Sequence, residues 1–342
     1  MAKPKTDSEQ YKALEKAVKE RAPGCLYIFY GEERYLLGHY LTSLRRILIP
    51  EGLEEFNHRK LDGKGLTASD IIGAVDMLPA FSERTLIEVS DYDIFKAPEA
   101  DRKALAELFA DMPEYACLVF VYDTLEYKPD KRLRDSKELL KNVSEVEFQT
   151  QEGEKITRWI ARHIKECGKS ISRADAEYLA FITGGSMTTL NTEIEKLCSY
   201  AKDELISRED IDVCVIPVSD AVTYKLTNAL TKKDVAASFA ILGDLLRMRE
   251  APHKIVYGIS SSMRQLYYAK LCRENGRGSQ YLMENFGVKY DFQARNLMQD
   301  ATRFSLEKCR KSVGLCAEAA LKMNSGSDPE NALKELLSSL CI

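Results

Sequence analysis

The sequence of 342 residues is poor in the residues that most often announce chemistry. It has four histidines and one tryptophan, and its nine cysteines (Cys25, Cys117, Cys167, Cys198, Cys214, Cys272, Cys309, Cys316 and Cys341) stand singly, with no Cys-x-x-Cys pair. A structural zinc site needs closely spaced soft ligands, so no metal is expected. An odd number of scattered cysteines in a long chain reads as reduced, mostly buried thiols. Apolar runs are a few residues long, against roughly 18 for a membrane span. Met1-Ala2-Lys3-Pro4-Lys5 carries charge with no apolar stretch behind it to make a signal peptide. The expectation is a cytoplasmic protein with no membrane contact. The net charge of −4 argues against a surface that coats nucleic acid throughout, while leaving room for a local basic face.

What is present is an ordinary globular composition, 45% apolar and 30% charged, in a chain long enough for two or three domains. Tyr11, Leu14 and Val18 lie at helical spacing within a helix expected over 8–22, closed by Pro23-Gly24. A strand, Cys25 to Tyr30, then runs into a helix through Leu36, Leu37, Tyr40, Leu41 and Leu44. Strand-like runs recur at 57–61, 85–89, 116–122 and 143–148, separated by helical patterns at 67–77, 100–109 and 137–141. Thr67 and Asp70 have the spacing of a capping box. Apolar strands alternating with helices imply a mainly parallel sheet covered on both faces. From about 150 the strand signal stops. Helices are expected at 153–167, 172–183, 187–201 and 207–213, then, after Pro217, at 219–229, 232–248, 252–274, 278–285, 290–300, 303–323 and 328–340. The reading is an α/β domain over 1–149, a small helical module over 150–215 and an all-helical domain over 216–342.

The junction after the first strand is Gly31-Glu32-Glu33-Arg34-Tyr35. A nucleotide-hydrolysing P-loop needs glycines there to wrap phosphates, followed by a Lys-Ser/Thr pair. Two acids stand instead. Asp123, at the end of a neighbouring strand, lacks the adjacent acid usual for Mg²⁺ binding and reads as a turn or cap residue. His39, His58, His163 and His253 lie in unrelated segments, and Gly184-Gly185-Ser186 sits between helices where no nucleophile elbow would. No catalytic, cofactor-binding or metal-binding residue is expected.

Several segments, in order, carry a resemblance: Leu26 to Glu33, Leu78-Pro79-Ala80-Phe81-Ser82-Glu83-Arg84-Thr85-Leu86, Lys131-Arg132-Leu133 leading to Lys137, Asn191 to Leu197, and Gln293-Ala294-Arg295 with Phe304-Ser305. Together they make the chain similar to the delta subunit of the bacterial DNA polymerase III clamp loader. The resemblance implies an AAA+-like domain without working ATPase residues, a helical lid and an all-α collar. It implies a subunit that binds and opens the ring-shaped sliding clamp for loading on primed DNA, beside ATP-hydrolysing and delta-prime-like partners. Polymerase activity would then belong to the holoenzyme. Delta-prime and tau/gamma-type subunits usually carry zinc-spaced cysteines or a true phosphate loop, and neither occurs in this sequence. An AAA+-shaped adaptor of another complex, or an active ATPase, are the competing readings.

The clamp contact implied is the helix-to-strand connection with Leu78 and Phe81, flanked by Pro79 and Met77. The sequence departs from the family here, since Ala80 stands where many relatives carry an aromatic residue. The alternative for Leu78 and Phe81 is that they close the core of their own domain. Lys131, Arg132, Arg134 and Lys137 are the candidate DNA contacts, with Arg264, Arg273 and Arg277 behind them. A solvated helix face is the competing reading for each.

Overall fold

The protein is described by a computed structural model, and the description covers residues 9–341. The signal-peptide reading of residues 1–5 and the first residue of the helix expected from 8 lie outside them. The chain divides into two compact units, one up to Thr150 and one from Gln151 onward.

The first unit runs α1 (Glu9–Lys19), β1 (Leu26–Gly31), α2 (Arg34–Leu48), α3 (Glu54–Asn57), β2 (His58–Asp62), α4 (Ala68–Val75), β3 (Thr85–Ser90), α5 (Glu99–Ala110), β4 (Ala116–Val121), α6 (Arg134–Leu140) and β5 (Ser144–Phe148). The five strands form one sheet in the order β2-β3-β4-β1-β5, every pair parallel. β4 is buried at every position, as its unbroken apolar run requires of a strand covered on both faces. β2 is more polar, and it takes an edge. Ile28, Ile71, Val75, Ile87, Val89, Leu105, Leu118 and Phe120 belong to one core. Tyr11 of α1 meets Tyr40 and Phe148 edge-on, at ring separations of 5.5 and 5.9 Å, so the first helix packs on this unit. The capping box at Thr67 and Asp70 is formed and starts α4.

The second unit continues with α7 (Glu154–Glu166), β6 (Ser170–Ile171), α8 (Arg173–Ile182), α9 (Met187–Tyr200), β7 (Leu205–Ile206), α10 (Arg208–Cys214), α11 (Ser219–Thr231), α12 (Val235–Arg247), α13 (Pro252–Glu274), α14 (Ser279–Phe286), α15 (Asp291–Asp300), α16 (Leu306–Asn324) and α17 (Pro329–Cys341). The expectation that strands end near 150 is corrected: β6 and β7 pair in parallel, Ser170 with Leu205 and Ile171 with Ile206. Two residues apiece are too few to show a period. The helix expected from 232 starts at Val235, because Lys233 takes a left-handed conformation (φ 58°) and Asp234 caps the helix. The 23-residue α13 is the spine of this unit. Its Ile255, Ile259 and Met263 belong to one apolar cluster, and its Leu266, Ala269 and Cys272 to a second.

All nine cysteines are free, but only Cys117, Cys272, Cys309 and Cys316 are buried, and Cys167 is exposed. The expectation of mostly buried thiols is thus met by fewer than half of them. No helix among the described residues is long and apolar enough to cross a membrane.

Candidate functional site

A parallel sheet has two chemically different ends, and in α/β folds of this kind ligands gather beyond the carboxyl ends of the strands. At that end Gly31 closes β1 against β5 with φ 130°, and the Glu33 N–H donates to Phe148 O (3.0 Å). The Glu33 carboxylate accepts from Tyr35 N–H (3.3 Å) and so caps α2. Burial pushes its pKa up, and the bond from the Tyr35 N–H only partly offsets that. Glu32 accepts from the Thr150 hydroxyl (3.3 Å). Arg34 reaches across to the end of β4, donating to the carbonyls of Tyr122 (2.8 Å) and Asp123 and pairing with the Asp123 carboxylate at 3.2 Å.

The turn after β4 is organised by a residue that spacing did not single out. Asp91 accepts from the N–H groups of Asp123, Thr124 and Leu125 and from the Thr124 hydroxyl, at 2.7–3.1 Å. Burial raises the Asp91 pKa, but the bonds from Leu125, Thr124 and Asp123 outweigh it and hold the carboxyl below its usual value. The turn role expected of the Asp123 side chain is thus filled by Asp91, while the Asp123 carboxylate faces Arg34.

The opposite end of the sheet carries the segment from Asp76 to Arg84, between α4 and β3. Leu78 is 74% exposed, Phe81 89% and Met77 47%, while Pro79 is half-buried. The core-closing alternative for Leu78 and Phe81 therefore fails. An exposed apolar segment could still be a loose loop, but this one is tied down at several points. Asn57, completely buried at the end of α3, donates to Ala80 O and accepts from Ala80 N–H, both at 2.8 Å. Ser82 donates to Leu48 O (3.4 Å) and Arg84 O (3.1 Å). Arg84 donates to Pro23 O (2.7 Å), Gly24 O (3.0 Å) and Ala116 O (3.4 Å), gathering the starts of β1, β3 and β4. Phe81 itself has φ 57°, a left-handed conformation uncommon outside glycine.

β2 and β3 are parallel neighbours with His58 opposite Leu86. The chain entering β2 and the chain entering β3 therefore lie at the same end of the sheet. Phe56, 54% exposed in α3, precedes β2 by this argument on the side of Leu78 and Phe81. Neither Phe56 nor Asn57 was singled out from the sequence; an aromatic beside a buried amide just before an edge strand is too common a pattern to stand out.

The basic candidates are spread around the start of α6. Lys131 pairs with Glu145 (2.9 Å) and Arg132 with Asp130 (3.1 Å), whereas Arg134 and Lys137 are exposed on the helix. In the second unit Arg273 donates to Met298 O (3.3 Å) and Arg277 lies over the Tyr281 ring (5.2 Å). His58 is held by Glu88 at 2.7 Å, and His163 packs on Trp159 with ring centres 3.9 Å apart. No group of three or more potential metal ligands occurs among the described residues.

Comparison with known proteins agrees over both units. Residues 27–149 match the family model for the DNA polymerase III delta subunit, and residues 220–340 match that for its C-terminal domain. The DNA polymerase III subunit delta of Bacillus subtilis is 25% identical over 327 residues, 94% of each chain. A probable delta subunit from Aquifex aeolicus is 25% identical over 285 residues, 81% of this chain and 78% of its own. The solved structure of the Bacillus subtilis DNA clamp loader delta protein superposes with a TM-score of 0.54 at 24% identity, covering 97% of this chain and 99% of that one. The fold is therefore the one read from the sequence, an AAA+-like parallel-sheet domain followed by a helix-rich region. With both family models matched, and relatives aligned along nearly the whole length, the chain belongs to the DNA polymerase III delta subunit family.

Proposed function

We propose that the chain is the clamp-gripping subunit of a replication clamp loader, acting through surface complementarity and without hydrolysing ATP itself. The observation that carries this reading is the pair Leu78 and Phe81, held out into solvent on a pinned loop at the end of the sheet away from the Glu32–Glu33 junction. Two large apolar side chains presented on a fixed backbone suit a pocket on a partner. Full burial of each is worth roughly 1.5–3 kcal/mol, and little ordering cost remains. Met77 precedes the pair, Pro79 lies within it, and both complete the contact. Inserted at a subunit boundary of a ring, such a wedge favours the open ring to the extent that it binds that form more tightly.

The partners under this reading are the sliding clamp, ATP-hydrolysing and delta-prime-like loader subunits, and primed DNA in the assembled complex. The second unit would act as a lid over 150–215 and a collar over 216–342. Arg134 and Lys137 are the better of the proposed DNA contacts, because Lys131 and Arg132 already have carboxylate partners.

Titration calorimetry with purified sliding clamp tests the grip. Leu78→Ala with Phe81→Ala should weaken binding by about 3 kcal/mol or more, over a hundredfold. Unchanged affinity would remove these residues from the contact. Equilibrium dialysis against Mg-ATP should show no retention, because Glu32 and Glu33 stand where phosphate would approach and Arg34 is committed to Asp123. Tight retention would overturn the non-ATPase half of the reading.

A further inference from the structure

The amide of Asn57 is a polar group sealed completely inside the first unit, where it is tolerated only if its hydrogen bonds are made. Its Nδ2 donates to Leu53 O (3.2 Å), within its own turn, and to Ala80 O (2.8 Å). Its Oδ1 accepts from Ala80 N–H (2.8 Å). Both backbone polar groups of Ala80 are thus taken by one side chain 23 residues earlier. Ala80 lies between Pro79 and Phe81, so the clip sits in the middle of the exposed segment. The next residue, Phe81, holds the left-handed backbone (φ 57°) that a phenylalanine rarely adopts unless its surroundings impose it.

Resting on the docking function proposed above, the geometry points to Asn57 as the positioning residue of the docking loop. It touches no partner. By fixing the peptide groups on both sides of Ala80, it holds Leu78 and Phe81 at one spacing and direction before binding. The ordering cost is then met on folding and is not charged to the complex. The role also bears on the family departure at position 80. With alanine there, a small side chain beside a clipped backbone leaves Leu78 and Phe81 as the projecting groups.

The test uses the full chain with purified sliding clamp. Asn57→Ala should weaken clamp binding about tenfold, roughly 1.4 kcal/mol, and speed hydrogen exchange at the Ala80 amide. Asn57→Asp keeps an acceptor for that amide but turns a buried carboxylate oxygen toward Ala80 O and Leu53 O, so it should weaken binding at least as much as Asn57→Ala. Asn57→Ser, whose hydroxyl can bond Leu53 O within its own turn while the clip on Ala80 is lost, should weaken binding as Asn57→Ala does and carries the test if Asn57→Ala fails to fold. Thr67→Ala, which removes the cap of α4, serves as a control that lowers stability but leaves clamp affinity unchanged.

The deciding comparison is a double-mutant cycle. Added to Leu78→Ala with Phe81→Ala, Asn57→Ala should cost no further affinity, since the groups it positions are gone. An equal loss in both backgrounds would mark general damage and overturn the inference. So would unchanged affinity in Asn57→Ala while Leu78→Ala with Phe81→Ala weakens binding, an outcome that leaves the docking function standing. If no variant affects binding, the docking function itself fails and the role of Asn57 falls with it.

Discussion

At Gly31 the backbone takes φ 130° where β1 meets β5, and a Cβ would stand 2.7 Å from Phe148 N and closer still to its carbonyl oxygen. The glycine is thus required by strand closure. Two residues on, Glu33 turns its carboxylate onto Tyr35 N–H, which occupies the start of α2. Helix starts attract anions because their first N–H groups point outward unpaired. Here the protein supplies its own carboxylate. Gly31→Ala should therefore destabilise the protein by about 3 kcal/mol or more, through both the strained φ and the clash with a backbone that cannot yield. Urea unfolding of the purified variant measures it. A loss under about 1 kcal/mol would mean that β5 can move aside, and that the junction is less tightly closed than its geometry implies.

Among elements, what was legible in the sequence is what local physics writes locally. Thr67 and Asp70 announced α4, and the helical patterns at 172–183 and 252–274 announced α8 and α13, because caps and side-chain periods act within a few residues. The apolar run at 116–122 announced a strand, and the structure puts it in the middle of the sheet. What was not legible depends on pairs far apart in sequence. Asn57 with Ala80 and Asp91 with Thr124 join segments 23 and 33 residues apart, and neither asparagine nor aspartate carries a mark of its distant partner. The β6–β7 pair joins residues 170 and 205, each strand too short to show alternation. The proposed docking loop lies between these cases. Its residues were legible through family resemblance, but whether Leu78 and Phe81 pointed in or out was open, since apolar residues in a connection have no period to betray a face. Their direction follows from the clip on Ala80 and the left-handed Phe81.

Across the whole molecule, the first unit holds everything the proposed grip requires. Its core draws on strands and helices between Leu26 and Leu139, and α1 is anchored to it through Tyr11. Every hydrogen bond that fixes the loop, from Asn57, Ser82 and Arg84, ends on a residue of the same unit. A piece of about 150 residues with its own closed core is of a size that folds alone. Residues 1–150 expressed separately should therefore unfold in one cooperative transition and bind the sliding clamp within about threefold of the full chain, a difference of about 0.6 kcal/mol. Circular dichroism melts check the folding and calorimetry the affinity. If the piece folds but binds more than about tenfold more weakly, the helical unit contributes directly to the contact, and the exposed pair cannot account for the grip alone. If it binds as the full chain does, the role of the second unit lies elsewhere, in assembly with other subunits, where a mostly helical unit has the surface for side-by-side packing.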